Sequence, residues 1–296
     1  MTSAPFGTVL TAMVTPFRED GSVDLDAVKK VAKHLVDNGN DGIVVSGTTG
    51  ESPTTSTAED GETLAAVKDA VGDRAVVVAG VGTNDTRHSV ELARQAEKVG
   101  ADGVLLVTPY YNKPSQAGVI EHFRQVVGAS SVPVMLYDVP GRTGTKIDLA
   151  TYEKVRGWDP VVAVKDATGD LARTARLVDL GYAVYSGDDV NTLGYLAYGA
   201  VGLVSVVAHA AGKELRAMIE AFRAGDHAEA LRIHTALIPA YDAVMGVPNY
   251  GATTAKAAME LLGVIDNRVV RSPLVALDDT EVAALRDGLR AAGVLS

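Results

Sequence analysis

Eight short apolar runs lie between Thr8 and Val207: Thr8–Thr15, Gly42–Ser46, Ala75–Gly80, Gly103–Thr108, Val132–Tyr137, Val161–Lys165, Tyr182–Ser186 and Gly202–Val207. Each is rich in Val and Leu and nearly continuous in hydrophobicity rather than alternating. That is the pattern of a parallel strand covered on both faces. The runs recur every ~20–33 residues, room for one helix and two loops. The stretches between them have helical spacing. Leu25, Val28, Ala32 and Leu35 follow i, i+3, i+7, i+10, and Asn38-Gly39 ends the pattern. Leu215, Met218, Ile219 and Phe222 repeat it after the eighth run. Eight βα units without a second sheet pattern predict an α/β fold, a closed (β/α)8 TIM barrel. The competitor, an open doubly wound sheet, rarely needs eight similar units in a row, and no GxGxxG follows the first run.

After about residue 226 the strand signal stops. Ala230, Ile233 and Leu237 read as one helix, Thr253 to Leu262 as a second, and Val282, Leu285 and Leu289 as a third; Asp278 with Glu281 forms a capping box for the last. The expected division is a barrel catalytic domain over 1–226 and a C-terminal helical domain over 227–296, packed on the barrel or on another subunit.

Composition narrows the function. The 296 residues carry 37 acidic and 27 basic side chains, a net charge of −10, and no basic run, which argues against a nucleic-acid partner. The absence of cysteine removes thiolate nucleophiles, thiolate zinc sites, iron–sulfur clusters and disulfides. Met1 to Phe17 hold no Lys or Arg, so no secretory signal is read there, and no window approaches the ~18 apolar residues of a membrane span. The expectation is a soluble, cytoplasmic protein.

In a barrel, catalytic groups collect where strands end. Lys165 closes the apolar run Val161-Val162-Ala163-Val164. An ordinary lysine, pKa ~10.4, is almost wholly charged at neutral pH, and burial among apolar groups removes most of that handicap. Lys165 is therefore a candidate Schiff-base nucleophile; the alternative is a strand-end lysine that snorkels to water or pairs with Asp166. Tyr137 ends the fifth run, on a neighbouring strand, and its phenol can exchange protons with an imine; the alternative is an ordinary rim tyrosine. Arg142, in the loop just beyond, offers a fork for a substrate carboxylate or is simply an exposed loop arginine.

Other segments are less specific. Ser46-Gly47-Thr48-Thr49-Gly50-Glu51-Ser52 supplies hydroxyls and N–H groups for a carboxylate or phosphate but lacks the Gly-Lys-Ser/Thr of a P-loop. Thr108-Pro109-Tyr110-Tyr111 is an interface feature or a surface turn. Gly80-Val81-Gly82-Thr83-Asn84-Asp85 is too common a pattern to claim a nucleotide. The six histidines show no metal-ligand spacing, and most fall on predicted helices in solvated or capping roles. No GxSxG elbow occurs.

Together these residues give the chain a resemblance to the dihydrodipicolinate synthase / N-acetylneuraminate lyase family. The matching segments are Gly47-Thr48-Thr49-Gly50-Glu51, Thr108-Pro109-Tyr110-Tyr111, Tyr137-Asp138-Val139-Pro140-Gly141-Arg142-Thr143, Val164-Lys165-Asp166 and Ser186-Gly187-Asp188-Asp189. They stand in the family's order and spacing across the whole barrel; the C-terminal helices match only in kind. The Gly141-Arg142 pair resembles the synthase branch, a lyase of the class I aldolase type that condenses pyruvate with L-aspartate 4-semialdehyde in lysine and diaminopimelate biosynthesis.

The resemblance implies that Lys165 forms the Schiff base with pyruvate and Tyr137 is the main proton carrier. Thr48 and Tyr111 would complete a relay, with Tyr111 reaching in from a neighbouring subunit. Thr49 would bind the pyruvate carboxylate, Arg142 the semialdehyde carboxylate, and Gly187 and Val204 would line the pocket. No metal or organic cofactor is implied, since the imine nitrogen is the electron sink, and the implied assembly is a homotetramer of tight dimers. The family pattern also covers a lysine-feedback site. Asn84 and Tyr110 fit it, but Thr57, Asp60 and His88 stand where lysine-sensitive members carry two His and a Glu, so weak or absent inhibition is expected. Two other readings remain open at this point: a related aldolase with a larger aldehyde, which Arg142 discriminates, and a non-catalytic keto-acid binder.

Overall fold

The structure, a computed structural model, describes residues 3–296. Eight parallel strands close into a barrel in sequence order: β1 (Val9–Ala12), β2 (Gly42–Val45), β3 (Val76–Gly80), β4 (Gly103–Val107), β5 (Val134–Asp138), β6 (Val161–Asp166), β7 (Ala183–Ser186) and β8 (Gly202–Ser205). β8 pairs back onto β1 through Val9↔Leu203, Leu10↔Val204 and Thr11↔Ser205. Each predicted run coincides with one strand, β5 and β6 each ending one residue beyond the run. The first and last overshoot at their C-terminal ends: Met13–Thr15 leave the sheet as a buried loop, and Val207 caps the helix that follows β8. Their apolarity serves packing beyond the strand rather than the strand itself.

The barrel layer of helices comprises α1 (Leu25–Asp37), α2 (Thr57–Val71), α3 (Thr86–Val99), α4 (Gln116–Val127), the short α5 (Pro140–Thr143), α6 (Leu149–Val155), α7 (Leu171–Asp179), α8 (Thr192–Ala197) and α9 (Ala208–Arg223). The start of α1 is set by Asp24, whose carboxylate accepts from the Asp26 and Ala27 amides, satisfying two of the orphan donors of a helix N-terminus. Its buried stripe is Val28, Val31, Ala32 and Leu35, the face the spacing predicts. Inside the barrel, Leu10, Val44, Val78, Leu105, Met135, Ala163, Ala183 and Val204 fill the lumen, so it is a packed core rather than a pore. A second apolar shell lies between strands and helices.

Three further helices complete the chain: α10 (His227–Met245), α11 (Ala252–Leu261) and α12 (Asp279–Ala291). The capping box at α12 is present, with Asp278 accepting from the Glu281 amide at 2.8 Å and Glu281 from the Asp278 amide at 2.9 Å. These helices share one apolar core with β1, β8 and α9, in which Val9, Leu203, Leu215, Leu237, Ala257 and Leu285 meet. They therefore pack on the barrel of their own chain. Among the described residues no helix is long and apolar enough to cross a membrane.

Candidate active site

The pairing of β5 and β6 puts Tyr137 opposite Lys165 and Asp138 opposite Asp166. Side chains alternate along a strand, so one pair enters the barrel mouth and the other faces the helix layer. Asp166 accepts from the Thr168 amide at 2.9 Å and from Thr174 on α7. Asp138 pairs with Arg173, also on α7, at 2.6 Å and accepts from the Ile147 amide. Lys165 is thus turned away from Asp166. It is 6% exposed and makes no ion pair among the described residues, and its Nζ lies 4.3 Å from the centroid of the Tyr137 ring. Neither ordinary reading of this lysine, snorkelling to water or pairing with Asp166, describes it.

The environment acts on both groups. Burial pulls the Lys165 ammonium down to about 8, with the Asp189 carboxylate opposing and Arg142 assisting. A base at that value is neutral in roughly one molecule in ten at pH 7, against roughly one in a few thousand for an ordinary lysine. Burial pushes the Tyr137 phenol up to about 12, partly offset by Arg142. The phenol therefore holds its proton at neutral pH beside an amine that readily loses one.

A cavity of about 440 Å³ opens over this pair. Thr48, Thr49, Tyr137, Arg142, Lys165, Gly187 and Val204 all line it, so seven of the eight residues singled out in the sequence converge. Tyr111 lies instead on an adjoining cavity of about 630 Å³, which also has Thr48, Tyr137 and Arg142 in its wall. It is 88% exposed and held in the left-handed region at φ 73°.

Backbone geometry explains the loops that carry these side chains. The segment after β2 turns at Ser46 (φ 54°) and again at Glu51 (φ 59°). Thr15 Oγ1 donates to the Gly50 carbonyl at 2.7 Å, tying the loop to the segment after β1. The result buries Thr49 and leaves Thr48 exposed to the cavity mouth. Gly187 follows β7 against the lysine itself: a Cβ there would lie 2.8 Å from the Ala167 methyl and 3.2 Å from Lys165 Cε. Only glycine lets this strand end approach the Lys165 stem so closely.

Sequence reasoning missed a buried carboxylate behind the site and one wall of the cavity. Asp189, wholly buried, accepts from Ser205 Oγ and from the amides of Val206 at 3.0 Å and Val207 at 3.5 Å. It belongs to the segment Ser186-Gly187-Asp188-Asp189, yet nothing in that segment marks its carboxylate as one that favours the Lys165 ammonium. The C-terminal unit contributes Tyr241, Met245 and Tyr250 to the same cavity, and the buried Tyr241 hydroxyl has no hydrogen-bond partner. These contacts span some hundred residues of chain and have no local signature. The histidines also need correction. His122 and His209 are buried rather than solvated; His209 accepts from the Val14 amide at 3.1 Å and contacts the Val206 carbonyl at 2.8 Å, so it is a core element holding the loop after β1. Among the described residues no group of three or more His, Asp or Glu side chains is disposed to hold a metal ion.

Comparison with known proteins agrees with this fold. Residues 5–292 match the dihydrodipicolinate synthetase family. A 4-hydroxy-tetrahydrodipicolinate synthase of Acidothermus cellulolyticus is 55% identical over 98% of this chain and 94% of its own length. Among solved structures, a synthase of Cyanidioschyzon merolae with lysine bound superposes with TM-score 0.94 at 40% identity, covering 99% of this chain and 100% of that one. A synthase of Acinetobacter baumannii complexed with pyruvate gives TM-score 0.92 at 34% identity over 99% of this chain and 100% of that one. The match runs through the barrel and the C-terminal helices alike, and this chain belongs to the dihydrodipicolinate synthetase family.

Proposed function

We infer that this chain carries out the 4-hydroxy-tetrahydrodipicolinate synthase reaction, the condensation of pyruvate with L-aspartate 4-semialdehyde followed by cyclisation, in lysine and diaminopimelate biosynthesis. The single observation that carries the reading is a buried, unpaired Lys165 whose amine faces Tyr137 within one cavity shared with Arg142. Lys165 attacks C2 of pyruvate. Loss of water gives an imine, and removal of a methyl proton gives an enamine. The enamine carbon bonds to the aldehyde carbon of the second substrate, whose oxygen takes up a proton. That substrate's amino group then attacks C2, closes the ring and expels the lysine amine.

Tyr137 is the proton carrier in this scheme, since its elevated pKa keeps the phenol protonated between steps. Thr48 and Tyr111 extend the relay, with Tyr111 supplied by a neighbouring copy; its 88% exposure on a single chain supports that role. Thr49 binds the pyruvate carboxylate, Arg142 that of the semialdehyde, and Gly187 and Val204 shape the floor. A homotetramer of dimers is the assembly that goes with a borrowed Tyr111. Arg142 favours the semialdehyde over larger neutral aldehydes, which offer no carboxylate to its fork.

Borohydride reduction in the presence of pyruvate, read by intact mass, tests the chemistry. A pyruvyl adduct that disappears in Lys165→Ala, together with loss of synthase activity, supports the reading; an adduct that survives the substitution sinks it.

A further inference from the structure

Arg142 stands in α5, the short helix after β5, with an exposed side chain. Among the described residues its side chain takes part in no ion pair or hydrogen bond; the guanidinium is instead laid over the ring of Tyr250, 4.9 Å from the centroid. Tyr250 comes from the segment joining α10 to α11, more than a hundred positions later, and it lines the same cavity as Lys165.

That segment is not a loose tether. Asn249 Nδ2 donates to the Val275 carbonyl at 2.9 Å, and Thr253 Oγ1 donates to the Asn249 carbonyl. On the other side, the Gly251 amide donates to Thr254 Oγ1 at 3.0 Å, which donates to the Val244 carbonyl at 2.9 Å. The tyrosine is held from both flanks. A guanidinium over an aromatic face keeps its in-plane N–H donors free while one planar face is covered. This suits a fork that must stay cationic, oriented and unpaired until a carboxylate arrives.

We propose that Tyr250 is a positioning residue for the aldehyde substrate: its ring holds the Arg142 guanidinium edge-on to the cavity, so that the C-terminal unit sets affinity for the carboxylate-bearing aldehyde and not for pyruvate. The inference rests on the reading of Arg142 as the carboxylate clamp. Its chemical content is the ring face and not the hydroxyl. Phenylalanine therefore preserves the function, and a side chain without a ring loses it.

The test is steady-state kinetics of Tyr250→Ala, Tyr250→Leu, Tyr250→Phe, Arg142→Ala and the double variant Tyr250→Ala/Arg142→Ala, with pyruvate adduct formation measured alongside. The Ala and Leu variants are expected to raise KM for the semialdehyde by about threefold to tenfold. KM for pyruvate and the yield of borohydride-trapped adduct stay at native values, and the Phe variant stays within about twofold. The double variant is expected to be no worse than Arg142→Ala alone, because the ring acts through the guanidinium. Three results overturn the proposal: an unchanged semialdehyde KM in the Ala and Leu variants while Arg142→Ala raises it, loss in the Phe variant equal to that in Ala, or full additivity in the double variant. If Arg142→Ala itself leaves the semialdehyde KM unchanged, the clamp reading falls and this proposal falls with it.

Discussion

Lys256 on α11 and Glu51 in the middle of the β2–α2 loop form a buried ion pair, Nζ to Oε1 2.5 Å, with each side chain 1% exposed. The pair is closed by further contacts. Lys256 donates to the Val269 carbonyl at 2.7 Å and lies 4.0 Å from the Phe17 ring centroid, while the second Glu51 oxygen accepts from the Arg271 amide at 2.9 Å. Glu51 ends the turn that carries Thr48 and Thr49, so the C-terminal helices grip the loop on which two of the proposed catalytic and binding hydroxyls sit.

Removing one partner of a buried pair strands the other charge. Lys256→Met is expected to cost about 3–5 kcal/mol and to lower the midpoint of thermal unfolding by of order 10 °C. Adding Glu51→Gln should recover part of that loss, since the carboxylate no longer needs a cation. Thermal denaturation of the two single variants and the double variant measures the coupling. Equal midpoints for Lys256→Met and the native chain would mean that the pair contributes nothing.

The second prediction concerns pH. In the proposed mechanism the neutral Lys165 amine is the attacking form, and its ammonium is pulled down to about 8 by burial. Below that value the neutral fraction drops tenfold per pH unit, so kcat/KM for pyruvate should fall with unit slope on the acid side and level off above about 8. Asp189 favours the ammonium, so Asp189→Asn should move the acid limb to lower pH. A profile of kcat/KM against pH for both proteins decides the matter; a limb displaced upward in the variant contradicts the assignment of Asp189.

Much of this molecule is written locally. Parallel strands buried on both faces leave continuous Val-rich runs, which is why all eight strands can be read from the sequence, and Lys165 stands out because it ends such a run. The overshoots at Met13–Thr15 and Val207 have the opposite cause: those apolar residues are buried by packing outside the sheet, and hydrophobicity alone does not distinguish the two kinds of burial. The Asp138–Arg173 and Lys256–Glu51 pairs join elements far apart in the chain, so no spacing rule exposes them. One clue to Lys256 was available. It is flanked by Ala255, Ala257, Ala258 and Met259 and is the only charged residue between Ala252 and Met259, a stretch that is buried all round. A lysine within it needs an internal carboxylate.

Feedback by lysine is expected to be weak. Asp60 is buried and accepts from Thr55 Oγ1 at 2.8 Å, and burial raises its pKa. The Thr57 carbonyl accepts from Gln95 at 2.8 Å. These groups are engaged within the chain, and Thr57, Asp60 and His88 replace the two His and one Glu that the family resemblance associates with lysine sensitivity. Synthase activity titrated with millimolar L-lysine should remain largely intact. Strong inhibition would show that the substituted set still recognises the amino acid.

Gly187 supplies the last prediction. A methyl group at this position would meet Lys165 Cε at 3.2 Å and the Ala167 methyl at 2.8 Å. The Gly187 amide is tied to the Asp166 carbonyl at 2.7 Å, so the backbone cannot readily withdraw to make room. The more flexible partner is the lysine stem, and Gly187→Ala should displace the amine from its place beside Tyr137. Misplacement of a nucleophile by a fraction of an ångström to an ångström costs about tenfold to a hundredfold in rate. The variant is therefore expected to form the pyruvate adduct at least about tenfold more slowly, while circular dichroism reports an intact fold. Native trapping rates in Gly187→Ala would mean that Lys165 tolerates the displacement, and that the close approach of β7 to the amine is not what sets its reactivity.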